Sequence, residues 1–372
     1  MKPSRTFLLL PLLFISSAST FAQQKFRNAV EVVFQPVLTQ FTANSKLIGS
    51  PYGGEIILHL NRENSTTPWM RAIHLRNLDL VYNYQRMNDV QLDYYPFNGI
   101  FGDSHALLAG IEIGLFKFKK IDFILSPAVG LAYVDKTYFV NRNPVISSHV
   151  NVALRAKVKV AVPITETVTV SGSLSAFHYS NGAYRVANNG MNLISAGLGI
   201  SKNIGTAISA KEEIGSTADQ RGAHQIDVGL DMGRRGIFRS KKGIFRTGAT
   251  VSYRYHVGTL LALNAGIDGV YYHTIFDPDN YQLTHQSYGS SYDRLRVGAA
   301  VGPDLWMGKL AAMFRYGYYL HYNSLTGNKT YWTAGLRYTL NGWASLQSKI
   351  YLHGTEADYL GFGLIFSKKI SN

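Results

Sequence analysis

His178 and Ser180 stand two residues apart in the run Phe177-His178-Tyr179-Ser180-Asn181-Gly182. On an extended strand, side chains at i and i+2 share a face, so this spacing sets an imidazole beside a hydroxyl. A serine hydroxyl is a weak nucleophile until a base takes its proton, and histidine is the commonest base. Asn192 falls on the same even-numbered face of the following segment, 191–200. The base in such a relay normally has a third group that fixes its tautomer and stabilises the imidazolium. Asn181 and Asn188, in the polar connection 181–190, are available to an oxyanion or for positioning a substrate. The chemistry these residue types suit is ester hydrolysis.

The strands that would position them carry a period of two. Segment 168–176 sets Val168, Val170, Leu174 and Ala176 against Thr169, Ser171, Ser173 and Ser175. In 191–200 the apolar face holds Ile194, Ala196, Leu198 and Ile200. Counting along both faces brings His178, Ser180 and Asn192 to one end of two adjacent apolar stripes. Polar groups there cost free energy unless they lie at an interface, have partners or do a job. The bland alternative is that the apolar belt simply ends at this point.

The same alternation recurs through the chain. Segment 150–162 has an apolar even face, while its odd face carries Arg155, Lys157 and Lys159. Segments 107–115, 261–271 and 358–366 repeat it, with Glu112 on the polar side of the first. Such runs exceed the usual strand of about 5–6 residues and reach the roughly 9–11 needed to cross a bilayer. A β structure in lipid must close on itself, because hydrocarbon offers no partner to a free strand edge. Paired aromatics at Tyr271-Tyr272, Tyr318-Tyr319 and Tyr331-Trp332, with Trp343, suggest interfacial girdles. The expected fold is therefore an all-β transmembrane antiparallel barrel of about 14–16 strands. The alternative is an eight-stranded barrel followed by a second β unit; a secreted soluble sandwich fits the strand lengths less well.

Residues 1–22 read as a secretory signal peptide: Lys2 and Arg5, a short apolar run, then Thr20-Phe21-Ala22. The organisation that follows is a barrel half over 23–204, a polar loop over 205–224, and a β-rich half over 225–372 that completes or extends the barrel. Export and barrel pattern together imply the outer membrane of a Gram-negative bacterium.

Composition removes other classes. The 372 residues contain no Cys, which excludes a disulfide scaffold and a thiol nucleophile. The net charge of +14 comes from dispersed cations, which does not suit a nucleic-acid partner. No nucleotide loop or zinc-helix motif occurs, and no cofactor or metal is expected. His353, Glu356 and Asp358 could form a second polar site or an ordinary rim. Arg234, Arg235, Arg239, Lys241 and Lys242 form a basic cluster that could meet lipid phosphates or be a solvated loop.

The His-x-Ser-Asn run, followed by Asn188-Asn189-Gly190-Met191-Asn192 and a long alternating strand, resembles the PagL-type outer-membrane lipid A deacylases, also described as acyloxyacyl-hydrolase-like. The resemblance covers roughly residues 27–204. It implies an eight-stranded barrel that removes an ester-linked acyl chain from lipid A at a site on its lipid-facing wall. It implies Ser180 as nucleophile, His178 as base, and Asn181 and Asn188 as counterparts of family asparagines, the latter at the oxyanion site. The partner would be a membrane lipid, lipopolysaccharide or its lipid A. One position departs from the pattern: the family carries an acid fourteen residues after the histidine, where this chain has Asn192. The competing reading is a porin-like or structural barrel with an inactive deacylase-like hairpin.

Overall fold

The computed structural model describes residues 27–42, 45–63, 65–94, 99–206, 220–238 and 240–371. The expected signal peptide and most of the 205–224 connector lie outside the described residues.

Sixteen long strands form two closed, antiparallel, eight-stranded barrels. The first comprises β1 (Asn28–Phe41), β2 (Tyr52–Asn61), β3 (Leu75–Arg86), β4 (Asp103–Phe118), β5 (Ile121–Val134), β6 (Val150–Pro163), β7 (Val168–Ser180) and β8 (Met191–Ile204). The second comprises β9 (His224–Gly236), β10 (Gly243–His256), β11 (Leu261–Tyr272), β12 (Leu295–Met307), β13 (Leu310–His321), β14 (Thr330–Thr339), β15 (Ala344–His353) and β16 (Glu356–Ser371). Each strand pairs with its sequence neighbours. β1 closes on β8 with Val32 opposite Ile200, and β9 closes on β16 with Val228 opposite Phe366.

The expectation of one barrel of 14–16 strands is corrected here; the two-unit alternative is what forms. The strand total agrees, but β8 takes the free edge of β1 and leaves none for β9. Eight strands also enclose a lumen just wide enough for side chains to fill. Long inward residues supply that filling.

The faces are inverted relative to a soluble protein. In β6, Val150, Leu154 and Val158 are 58%, 47% and 48% exposed, while Arg155, Lys157 and Lys159 are 3%, 1% and 6% exposed. An apolar outer wall around a charged interior suits hydrocarbon outside and internal pairing within. In the first lumen Glu55 accepts from Arg155 Nη1 at 2.9 Å and from Lys157. Glu31 bonds Lys159 at 3.1 Å and His59 at 3.0 Å, while Glu112 also pairs with Lys159. In the second, Asp227 holds Arg337 at 2.9 Å and Arg254 at 3.1 Å. These pairs cross both interiors.

The aromatic pairs divide between the two sides of the second barrel. Tyr271, Tyr318 and Trp343 face outward as expected of a girdle. Their neighbours Tyr272 and Tyr319, together with Tyr331, turn inward and pack with Tyr351 and Tyr359. Strict alternation makes this unavoidable for adjacent residues.

The two rims differ. In the first barrel the connections 42–51, 87–102, 135–149 and 181–190 share one rim, whereas 62–74, 119–120 and 164–167 lie at the other. In the second, 273–294 and 322–329 lie at one rim and 257–260, 308–309 and 340–343 at the other. The rim that carries most of the longer connections is the upper rim. The barrels share this orientation: Gly236, at the upper end of β9, donates its N–H to Ala183 O at 2.8 Å, and Gly308, in a lower turn, lies against Trp69.

Candidate active site

β7 and β8 pair in the register Asn192 opposite His178 and Met191 opposite Tyr179. That register follows from the apolar alternation, because a slip of one residue would turn every outward side chain inward. It carries His178 and Asn192 directly across from each other on the outer face. Ser180 follows on the same face of β7, at the upper rim. Below them the wall is apolar, with Leu174, Leu198 and Ile200 exposed.

The three side chains touch. His178 Nδ1 lies 2.8 Å from Asn192 Oδ1, and His178 Nε2 lies 3.1 Å from Ser180 Oγ. Asn192 Nδ2 donates to Phe41 O at 3.2 Å across the β1–β8 closure. That bond points the amide oxygen at the imidazole. An amide oxygen only accepts, so Nδ1 carries the proton and Nε2 is left as the lone-pair side facing the serine. A backbone carbonyl on a third strand thus sets which imidazole nitrogen can act as base.

Gly190 backs the ring. Its φ is +66°, and a Cβ there would come 2.7 Å from His178 Cε1. Only glycine meets both demands, which accounts for the residue before Met191.

The two asparagines of the connection are both engaged. The Asn181 N–H donates to Asn188 Oδ1 at 2.9 Å. Asn181 Nδ2 donates to Ser148 Oγ at 2.9 Å and to Ser147 Oγ at 3.4 Å. Its side-chain donor is therefore directed into the 135–149 connection. Asn188 is also bridged to Ile146 through the backbone, and Asn189 N–H donates to Val145 O at 3.0 Å. The amide Nδ2 of Asn188 has no hydrogen-bond partner among the described residues.

Ser147, Ser148, Phe41 and Gly190 carry no signal of chemistry in the sequence. Only the glycine beside a strand start hinted at its place. The second barrel's part is likewise invisible until folded. Gly182, with φ +60°, packs so that a Cβ would meet Leu360 Cβ at 2.9 Å, with Ile350 close behind. Gly236 presses against the backbone of Arg185 and Val186.

The polar group His353, Glu356 and Asp358 singled out in the sequence is committed to structure, as is a buried Glu31–His59–Glu112 cluster that the fold brings together. His353 is buried in the second lumen, stacked on Tyr288 at 5.9 Å and Tyr319 at 5.6 Å. Asp358 accepts from Tyr272 Oη at 2.6 Å and ion-pairs with Arg246 at 3.0 Å, and Glu356 pairs with Arg235. Glu31, His59 and Glu112 bring ligand atoms within 4.8 Å of one another, but the Lys159 ammonium already bridges the two carboxylates.

Two family profiles match. Residues 76–201 match the lipid A 3-O-deacylase family (PagL), and residues 224–370 match the acyloxyacyl hydrolase C-terminal domain (PagL_C). No curated protein matches. Solved structures with similarity include CdiB from Acinetobacter baumannii, at 11% identity and a TM-score of 0.19, covering 92% of this chain and 60% of that one. They include Omp33 of the same organism, at 10% identity and a TM-score of 0.18, covering 94% and 100%. They also include the P. putida toluene transporter TodX, at 10% identity and a TM-score of 0.16, covering 93% and 91%. Scores this low carry no argument about the family. The family matches do: they take in most of both barrels, and the chain belongs to the PagL-type acyloxyacyl hydrolase family of outer-membrane β-barrels.

Proposed function

We propose that this protein is a lipid esterase of the outer membrane, which removes an ester-linked acyl chain from lipid A or a related lipid. The observation that carries the reading is the continuous relay Asn192–His178–Ser180 on the apolar outer wall. A lipid ester could meet it there without leaving the membrane. Long loops face outward in bacterial barrels of this kind, which sets the relay in the outer leaflet.

In this mechanism Ser180 Oγ attacks the acyl carbonyl as His178 Nε2 takes its proton. The oxyanion accepts from Asn188 Nδ2, a donor the fold leaves unengaged. An oxyanion donor of this type is worth about 10²–10³ in rate. Collapse expels the lipid alkoxide, which takes the proton back from the imidazolium, and leaves an acyl-serine. Water, activated by the same imidazole, then releases the fatty acid. Asn192 holds the tautomer throughout but brings no charge to stabilise imidazolium. The relay is therefore a slower version of one with a carboxylate at this position. Asn181 is a positioning residue, fixing Asn188 and the turn after Ser180.

Ion pairs cross both lumens, which does not favour a porin-like reading. The test is mass spectrometry of purified lipid A incubated with wild type and with Ser180→Ala. Loss of one acyl chain with wild type alone is expected. Identical lipid A from both proteins, with solute flux through liposomes, would replace the esterase with a channel.

A further inference from the structure

Inside the barrels the cations described above are matched by carboxylates. At the upper rim, where the barrels meet, they are not. Arg185 lies in the 181–190 connection, five residues beyond Ser180. Arg234 lies at the upper end of β9, and Lys241 and Lys242 lie in the turn that follows. The connections 181–190 and 237–242 contain no Asp or Glu. Among the described residues no ion pair engages any of these four cations. Glu356, at the start of β16 on the same rim, is taken by Arg235.

The segments that carry these groups are brought together by contacts between the barrels. The Arg234 guanidinium sits over the Tyr184 ring at 4.9 Å, and its Nη2 donates to Lys241 O at 2.6 Å. The Gly236 N–H bonds Ala183 O, which draws the Arg185 backbone against β9. Arg185 Nε is buried and has no hydrogen-bond partner. A buried guanidinium donor without a partner is an unmade interaction that an anion would complete. Tyr184 and Phe238 flank the cluster, 46% and 54% exposed, as aromatic residues do at the membrane interface.

We infer that this seam between the barrels is a seat for the phosphate of a membrane lipid headgroup, formed by Arg185 and Arg234 with Lys241 and Lys242 at its edge. Guanidinium forks match phosphate oxygens in pairs, whereas lysine adds point charge. The ligand is a lipid because the seat opens at the edge of the apolar wall that carries Ser180. Its assignment as the headgroup end of the substrate rests on the esterase reading, and the second barrel thereby supplies half of substrate recognition.

The test separates binding from hydrolysis by using full-length Ser180→Ala protein in neutral-detergent micelles. Affinity is measured for lipid A and for lipid A stripped of its phosphates. The phosphorylated form should bind about tenfold tighter or better, with a steep salt dependence. Arg185→Gln with Arg234→Gln should reduce the ratio to about twofold or less. Because Arg234 also contacts Tyr184, the exposed pair Lys241→Gln with Lys242→Gln is measured too. That pair should lower the ratio about threefold and flatten the salt dependence without touching the barrel contact. Equal binding of the two lipids, or a ratio unchanged in both double variants, overturns the seat. Complete displacement of lipid A by equimolar inorganic phosphate overturns the lipid and leaves a free-ion site. If the ratio behaves as expected while wild type releases no fatty acid, the seat stands and the esterase reading falls.

Discussion

Gly236→Ala tests whether the second barrel holds the reaction geometry of the first. In the structure the Gly236 N–H donates to Ala183 O at 2.8 Å, three residues beyond Ser180. A Cβ on residue 236 would lie 2.6 Å from both Arg185 Cα and Val186 N. Both are backbone atoms and cannot rotate away. Carbon contacts settle at about 3.5 Å or more, so the connection must retreat by roughly 0.9 Å. The connection carries Asn181, whose N–H orients Asn188 at 2.9 Å. Misplacement on the order of 1 Å costs about 10² in rate when it disturbs reacting groups. Initial rates of fatty-acid release should therefore fall about 30- to 100-fold, in kcat more than in KM. Far-UV circular dichroism and barrel melting should stay near wild type, because β9 keeps its ladder. Gly258→Ala is the control, at a turn on the lower rim with open space around it. Leu360→Ala probes the same contact by removing the wall behind Gly182 rather than by collision. Full activity in a folded Gly236→Ala protein, with Gly258→Ala also active, would refute the claim that the barrels are coupled through this turn.

Three further outcomes follow from the same geometry. Asn192→Asp should raise kcat on the order of tenfold and move the acid limb of its pH profile upward by about 1–2 units. The sign is fixed: a carboxylate beside the ring favours imidazolium, so more alkaline conditions are needed to free the base. An unmoved limb would mean that His178 is not the titrating base. Gly190→Ala should displace the imidazole, since its Cβ would meet His178 Cε1 at 2.7 Å and φ is +66°. Activity should fall steeply while lipid binding persists, as read by parallel affinity and rate measurements. Glu55→Ala should destabilise the first barrel by about 3–5 kcal/mol in urea unfolding, by leaving the buried Arg155 and Lys157 uncompensated. A shift below about 1 kcal/mol would show that water enters this lumen and screens them.

Much of the wall was legible in the sequence because strand geometry has a period of two. Val150, Leu154 and Val158 had to share a face opposite Arg155, Lys157 and Lys159, whatever the barrel's size. The same count placed His178, Ser180 and Asn192 together, since a hairpin's register is fixed by the face each strand must show. Closure was not legible. Sixteen alternating strands read alike whether β1 ends beside β8 or beside β16, because alternation reports which way a side chain faces and not which edge it lies near. The girdle was half legible for a related reason. Adjacent aromatics such as Tyr318 and Tyr319 must face opposite ways, and only the filled lumen shows what the inward one does.

The sequence by itself determined an outer-membrane-type β wall and the three polar side chains on its apolar face. Both follow from local backbone geometry and from the cost of polar groups in lipid. The tertiary structure alone decided that two barrels close, that Phe41 O orients Asn192 and so the imidazole proton, and that Gly236 and Leu360 brace the turn after Ser180. Those contacts join residues far apart in the chain. Packing and hydrogen bonding across such distances depend on which strand edges meet, and no spacing along a sequence encodes that.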